Sequence, residues 1–297
     1  MALGMMCASM PSGAQAEKPV LSAQESDPVR MGWMQGFPPL KDRQLRFADG
    51  SFFEFPAMRW SVVHMSEFMP VVSVSRGLRA PDPLPYRLDP RIDAIAFRPT
   101  NADTDMTWEE SLWQNYTDGI VILHQGRIVH ERYFGALAAD RRHAAMSVTK
   151  SFTGTLGAVL VAEGTLDENK RVADYIPELA DSAFGDATVR QVLDMTTALQ
   201  FSEDYADPKA EIWQYSAAGN PLPKPKGYTG PVGYHAALQT IKKGGVHGEA
   251  FGYKTPNADV MGWLVARASG KPVGELLAER VWRRIGMEQD AYCSVDE

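Results

Sequence analysis

His143-Ala144-Ala145-Met146-Ser147-Val148-Thr149-Lys150 decides how the chain reads. From Val148 to Glu163 the apolar positions Val148, Phe152, Leu156, Val159 and Leu160 recur at steps of three and four, and Gly164 follows as a C-cap candidate. That pattern predicts one buried helix opening at Ser147. A spacing of three puts Ser147 and Lys150 on one helical face, with Cβ atoms about 5–6 Å apart, so the amine reaches the hydroxyl. A serine hydroxyl needs a base to become a nucleophile. Lysine serves when burial or positive neighbours lower its pKa from about 10.4. Met146, Phe152 and Leu156 are expected to supply desolvation, and the helix N-terminus favours an oxyanion over an ammonium. S-x-x-K also recurs by chance in many helices, so its surroundings must decide.

Upstream, Gly119-Ile120-Val121-Ile122-Leu123-His124 predicts a buried strand, Gln125-Gly126 a tight turn, and Arg127 to Phe134 an alternating, half-buried partner strand. Downstream, helices are expected over Val189–Leu193, with Thr188 as N-cap, and over Ala258–Ser269, closed by Gly270. The Pro- and Gly-rich stretch 219–234 predicts an irregular surface loop. Residues 17–105 are rich in Pro, Asp and Arg and carry scattered aromatics without a sustained period. They read as an extended N-terminal segment wrapping the core, with Pro81–Pro85 as a stiff connector.

Composition narrows the function classes. The 297 residues are 44% hydrophobic and 23% charged, as in a globular protein with a sizeable core. A formal net charge of -7 and the lack of a basic stripe argue against a nucleic-acid partner, because phosphate binding needs clustered Lys and Arg. Arg141-Arg142 and Lys242-Lys243 read as solvated faces. Cys7 and Cys293 are too few and too far apart for a metal site or a disulfide framework, so two unpaired thiols and no metal or cofactor are expected. Residues 1–16 are small and apolar and end in Ala14-Gln15-Ala16, like the A-x-A end of a secretory signal peptide without its positive start. A periplasmic or secreted location follows if this is a signal remnant, a cytoplasmic one otherwise. No stretch approaches the roughly eighteen apolar residues of a membrane span.

A family resemblance now adds to this reading. Met146 to Phe152, Gly164-Thr165-Leu166-Asp167, Val172 to Leu179 and Thr188 to Thr197 together resemble the opening half of class C β-lactamases and family VIII esterases, with Met195 where that family has His. The likeness runs roughly from residue 105 to the end. It implies an α/β (α+β) fold: an antiparallel sheet flanked by helices, with a mostly helical second region, and a hydrolase domain over 106–297. Phe251-Gly252-Tyr253-Lys254-Thr255 stands about a hundred residues after the serine, where the family carries its Y-x-N or Y-x-S motif. Tyr253 is thus implied to exchange a proton with the serine and the leaving group. Thr255 replaces the usual Asn or Ser, and Asn257 follows two residues later as a further substrate-binding candidate.

Glu203-Asp204-Tyr205-Ala206-Asp207-Pro208 and Gly248-Glu249 resemble the 6-aminohexanoate-dimer hydrolase branch, which implies that Tyr205 helps to bind the scissile amide; a packed loop tyrosine is the plain alternative. Gly244 to Gly248 lies in the wrong place for the family's K/H-[ST]-G strand, and the resemblance implies a chain that stops before that motif and before the last sheet strands. The expected function is hydrolysis of a small-molecule amide or ester through an acyl-enzyme on Ser147, with Lys150 as base. A β-lactamase or D-Ala-D-Ala carboxypeptidase would use the same three residues, and a non-catalytic ligand-binding module would keep only the fold. Oligomeric state and natural substrate are not encoded in any of these motifs.

Overall fold

The computed structural model describes residues 20–296. The expectations for residues 1–16, including Cys7 and the A-x-A segment, lie outside this range.

The structure has an antiparallel hairpin on one side and a helical body on the other. The elements that position the site are β1 (Val71–Val74), α1 (Trp108–Gln114), β2 (Gly119–His124), β3 (Arg127–Tyr133), α2 (Val148–Ala162), α3 (Val189–Leu193), α4 (Glu211–Ala218), α5 (Tyr234–Thr240), α6 (Thr255–Ser269), α7 (Val273–Leu277) and β4 (Ala291–Ser294). The hairpin pairs Gly119 with Tyr133 and His124 with Arg127, with a register shift between Ile122 and Leu123. Gln125 and Gly126 both have positive φ, 52° and 73°, which matches the right-handed twist of the strands.

β2 departs from its expected burial. It has β3 on one edge and no described strand on the other, so Val121 is 43% and Leu123 50% exposed. A β-branched apolar run shows that a strand forms; it cannot show which neighbours cover it. β3 buries Ile128 and His130 as its alternation predicts, and residues 85–89 run along its outer edge, where Ile128 N–H donates to Pro85 C=O at 3.0 Å and Arg87 N–H to Ile128 C=O at 2.8 Å.

α2 and α6 form the centre of the core. Leu156 and Leu160 of α2 and Val260, Met261 and Leu264 of α6 are buried in one cluster with Val172, Ile176, Leu179 and Phe184. Gly157 lets the two helices approach: a Cβ there would sit 2.6 Å from Met261 Sδ. α2 ends one residue before the predicted boundary, and Gly164 and Gly270 adopt the left-handed conformation expected after α2 and α6. α6 begins at Thr255, three residues earlier than its apolar period suggests. Pro256 sits in the first turn, where a missing N–H has no intrahelical partner to lose.

The N-terminal segment is more built than an extended wrap. Leu45, Phe52, Ala57 and Met69 form a second small core with Trp33, Phe47, Trp60 and Phe68 around it. β1 pairs antiparallel with β4, joining this segment to the far end of the described chain. Cys293, on β4, is a free, partly buried thiol whose pKa is raised by that burial. No helix among the described residues is long and apolar enough to cross a membrane, and no cluster of His, Cys, Asp and Glu there could hold a metal.

Candidate active site

Ser147 sits at the start of α2, directly after Met146, whose φ of 45° is unusual for a side chain of that size. Backbone strain of this kind persists where the surroundings hold it, and it recurs at active sites. The Ser147 hydroxyl makes no capping bond to its own helix. Lys150 Nζ donates to Ser147 Oγ at 2.9 Å instead, as the spacing of three predicts.

The surroundings of Lys150 differ from the apolar cover anticipated for it. Met146 is exposed, Leu156 lies in the core, and Phe152 packs edge-on against Trp282. The group beside Nζ is the Tyr253 ring, with its centroid 5.1 Å away. Tyr253 is 45% exposed and lies two residues before α6. Three residues are thus brought together: Ser147 and Lys150 by one helical turn, and Tyr253, about a hundred residues on, by the packing of α6 against α2.

Backbone contacts hold Tyr253 in place. Gly252 N–H donates to Met195 C=O at 2.9 Å, and Lys254 Nζ donates to Leu199 C=O. Partial burial of Lys254 lowers its pKa. Met195 has φ of 52° at the end of α3, so at this position it is the backbone carbonyl that reaches the tyrosine segment. The 244–248 stretch braces the same turn: His247 Nδ1 accepts from Ala198 N–H at 2.9 Å, and Gly248 N–H donates to Thr196 C=O at 2.8 Å.

The other candidates fall in different places. Tyr205 is 59% exposed, stands edge-on to Trp213, and donates to Glu203 Oε1 at 2.7 Å. Partial burial and the Glu203 carboxylate push its phenol up to about 12. Thr255 turns to the same carboxylate, donating from Oγ1 at 2.7 Å. Asn257 is only 1% exposed, with Oδ1 accepting from Thr197 Oγ1 and Nδ2 donating to Lys254 C=O at 3.3 Å. Asn257, read from the sequence as a substrate-binding candidate, thus braces the 195–199 turn from inside.

Two groups next to the site escaped the sequence reading. Asp259, on α6, accepts from Tyr215 Oη at 2.8 Å, and burial pushes its carboxyl up to about 6 against the Tyr215 hydrogen bond and the Lys150 charge. His143, four residues before the serine, faces Asp118 Oδ2 at 3.2 Å; Asp118 also pairs with buried Arg59 at 3.1 Å. The Asp118 hydrogen bond raises the His143 pKa. Ala144 N–H donates to Val62 C=O at 2.7 Å, so the approach to Ser147 is anchored on the N-terminal segment.

The sequence pattern of the β-lactamase family matches residues 108–294, well over half of the chain. The chain belongs to the β-lactamase family. Within this family it is 33% identical over 248 residues to the 6-aminohexanoate-dimer hydrolase of Paenarthrobacter ureafaciens, covering 83% of this chain and 60% of that protein. A Bacillus anthracis structure provisionally named a 6-aminohexanoate-dimer hydrolase superposes with a TM-score of 0.78 at 31% identity, covering 87% of this chain and 66% of its own. A family VIII carboxylesterase structure is 29% identical over 46% of this chain and 33% of its own, with a TM-score of 0.33. The chain thus spans less than two thirds of the length of the first two of these relatives. The expected β-lactamase and penicillin-binding-protein-like class, with small antiparallel ladders flanked by helices, is the fold observed.

Proposed function

We propose that this β-lactamase-family protein is a serine hydrolase that cleaves a small-molecule amide or ester through an acyl-enzyme on Ser147. The contact that carries the reading is the one between Lys150 Nζ and Ser147 Oγ at 2.9 Å, with the hydroxyl free of any capping bond. With its amine neutral, Lys150 accepts the hydroxyl proton as Oγ attacks the carbonyl carbon. The tetrahedral oxyanion forms at the N-terminus of α2, where the Ser147 N–H and the helix dipole stabilise negative charge. As the intermediate collapses, Tyr253, with its ring beside the ammonium, delivers its proton to the departing amine or alkoxide and takes a proton in turn from the Lys150 ammonium, which leaves both as they began. Water then attacks the ester on Ser147, and the same groups run in reverse. Tyr205 and Thr255 border this centre, with Tyr205 offering its exposed ring to the substrate.

The likeness to 6-aminohexanoate-dimer hydrolases supports amide or ester cleavage over β-lactam turnover. A fluorophosphonate probe followed by intact mass and peptide mapping tests the reading. One adduct on Ser147, absent from Ser147→Ala, is expected. An adduct on another residue would overturn the nucleophile assignment, and no adduct at all would favour a ligand-binding role.

A further inference from the structure

The nine residues 202–210 form a loop tied at both ends to α4. Ser202 N–H donates to Glu211 Oε2 at 2.8 Å, Ile212 N–H to Ser202 C=O at 3.2 Å, and Trp213 Nε1 to Asp207 C=O at 2.9 Å. One carboxylate in this loop reaches across to the first residue of α6. Glu203 Oε1 accepts from Tyr205 Oη at 2.7 Å and from Thr255 Oγ1 at 2.7 Å, while Oε2 accepts the Thr255 N–H at 2.6 Å. Thr255 is the first residue of α6 and lies two residues after Tyr253. The N-cap residue of α6, Lys254, offers no side-chain cap, so the orphan N–H is met by a carboxylate about fifty residues away in sequence.

This arrangement does more than finish a helix. A cap needs one acceptor, and Glu203 spends its other contacts on two hydroxyls, one of them the exposed tyrosine. We infer that Glu203 is a positioning residue, which locks Tyr205 to the start of α6 so that the substrate-facing ring and Tyr253 keep one fixed arrangement beside Ser147 and Lys150. The inference rests on the serine hydrolase reading above. It assigns Glu203 no proton transfer and no contact with the reacting bond. Its effect is geometric: misplacing a group by about 1 Å can cost on the order of a hundred-fold in rate.

The test compares Glu203→Leu, Glu203→Gln, Tyr205→Phe and the Glu203→Leu/Tyr205→Phe pair in hydrolysis of a short-chain nitroanilide, with fluorophosphonate labelling of Ser147 measured alongside. Leucine removes every acceptor, and kcat/KM is expected to fall roughly ten- to a hundred-fold. The double variant should be no slower than Glu203→Leu alone, because the leucine has already released the tyrosine. Glutamine can accept from Thr255 and donate to Tyr205, so it should recover most of the rate. Labelling of Ser147 should stay near wild type throughout, since it needs only Ser147 and Lys150. Glu203→Asp, one methylene too short to span both partners, should lose rate as leucine does, and it serves where leucine prevents folding. Wild-type turnover in Glu203→Leu or Glu203→Asp, or losses that multiply in the double variant, would overturn the positioning role while leaving the nucleophile intact. A wild-type protein that does not label at Ser147 would overturn the hydrolase reading, and this role with it.

Discussion

Lys150 Nζ and Ser147 Oγ are 2.9 Å apart across the first turn of α2, on a serine that opens the helix without capping it. Serines at helix starts usually turn the side-chain oxygen to a backbone N–H two or three residues on. Here the lysine takes that place, and Met146, in the left-handed region, aims the chain into the turn.

Because the two residues act as one unit in the proposed reaction, their losses should not add. Ser147→Ala and Lys150→Ala are each expected to reduce hydrolysis of a short-chain nitrophenyl ester by at least about a thousand-fold, and the double variant to be no worse than either. Steady-state kinetics on the three variants measures this. A double variant markedly slower than both singles would show independent roles.

Tyr253→Phe keeps the ring beside Lys150 and removes only the hydroxyl. The kcat for amide cleavage should drop by about a hundred- to ten-thousand-fold with little change in Tm. The drop should be smaller for a nitrophenyl ester, because nitrophenolate leaves without a proton and an amine does not. Equal losses on both substrates would exclude Tyr253 as the leaving-group acid.

Asp259 predicts a pH dependence with a definite sign. Its carboxyl is pushed up to about 6 in the folded protein, against an ordinary value of about 3.9. Between those values the folded state holds a proton that the unfolded chain has released, so this group makes stability fall as pH rises from about 4 to about 6. Asp259→Asn keeps an acceptor for Tyr215 and removes the titration. Relative to wild type, the variant should gain on the order of 1–3 kcal/mol on going from pH 4 to pH 7.5 in urea unfolding. A difference that does not change with pH would mean that Asp259 titrates normally.

His143 has the opposite dependence. The Asp118 carboxylate raises its pKa, so the stabilisation is complete below the ordinary histidine value of about 6.5 and is lost as pH rises through the raised one. His143→Gln should therefore cost more stability at pH 5.5 than at pH 9. The difference should stay below about 1 kcal/mol, because the ring is partly exposed and its ion pair is screened. Thermal unfolding at the two pH values is the check, and a larger cost at pH 9 would contradict it.

Local chemistry was legible where neighbours in sequence are neighbours in space. The Ser147–Lys150 contact, the hairpin with its Gln125-Gly126 turn, α2 and α3, and the glycines after α2 and α6 follow from spacing and backbone preference, because each depends on residues within a turn or two of chain. The fold class was legible too, through the chain of motifs from Met146 to Thr197.

Tertiary packing decided the rest. Asn257 was singled out for following the motif by two residues, yet only the seating of α6 against the 195–199 turn shows its side chain turned inward, with Oδ1 on Thr197 and Nδ2 on the Lys254 carbonyl. The apolar run of β2 specified a strand, while its exposure depends on what lies along its second edge. The clamp at Glu203 and the displaced acid at Asp259 were not legible, since a carboxylate takes on either role only through partners from distant elements: Thr255 for one, and Tyr215 with the Lys150 charge for the other. Periodicity reports which face of an element is apolar, and it is the packing of that face that selects the polar groups it will meet.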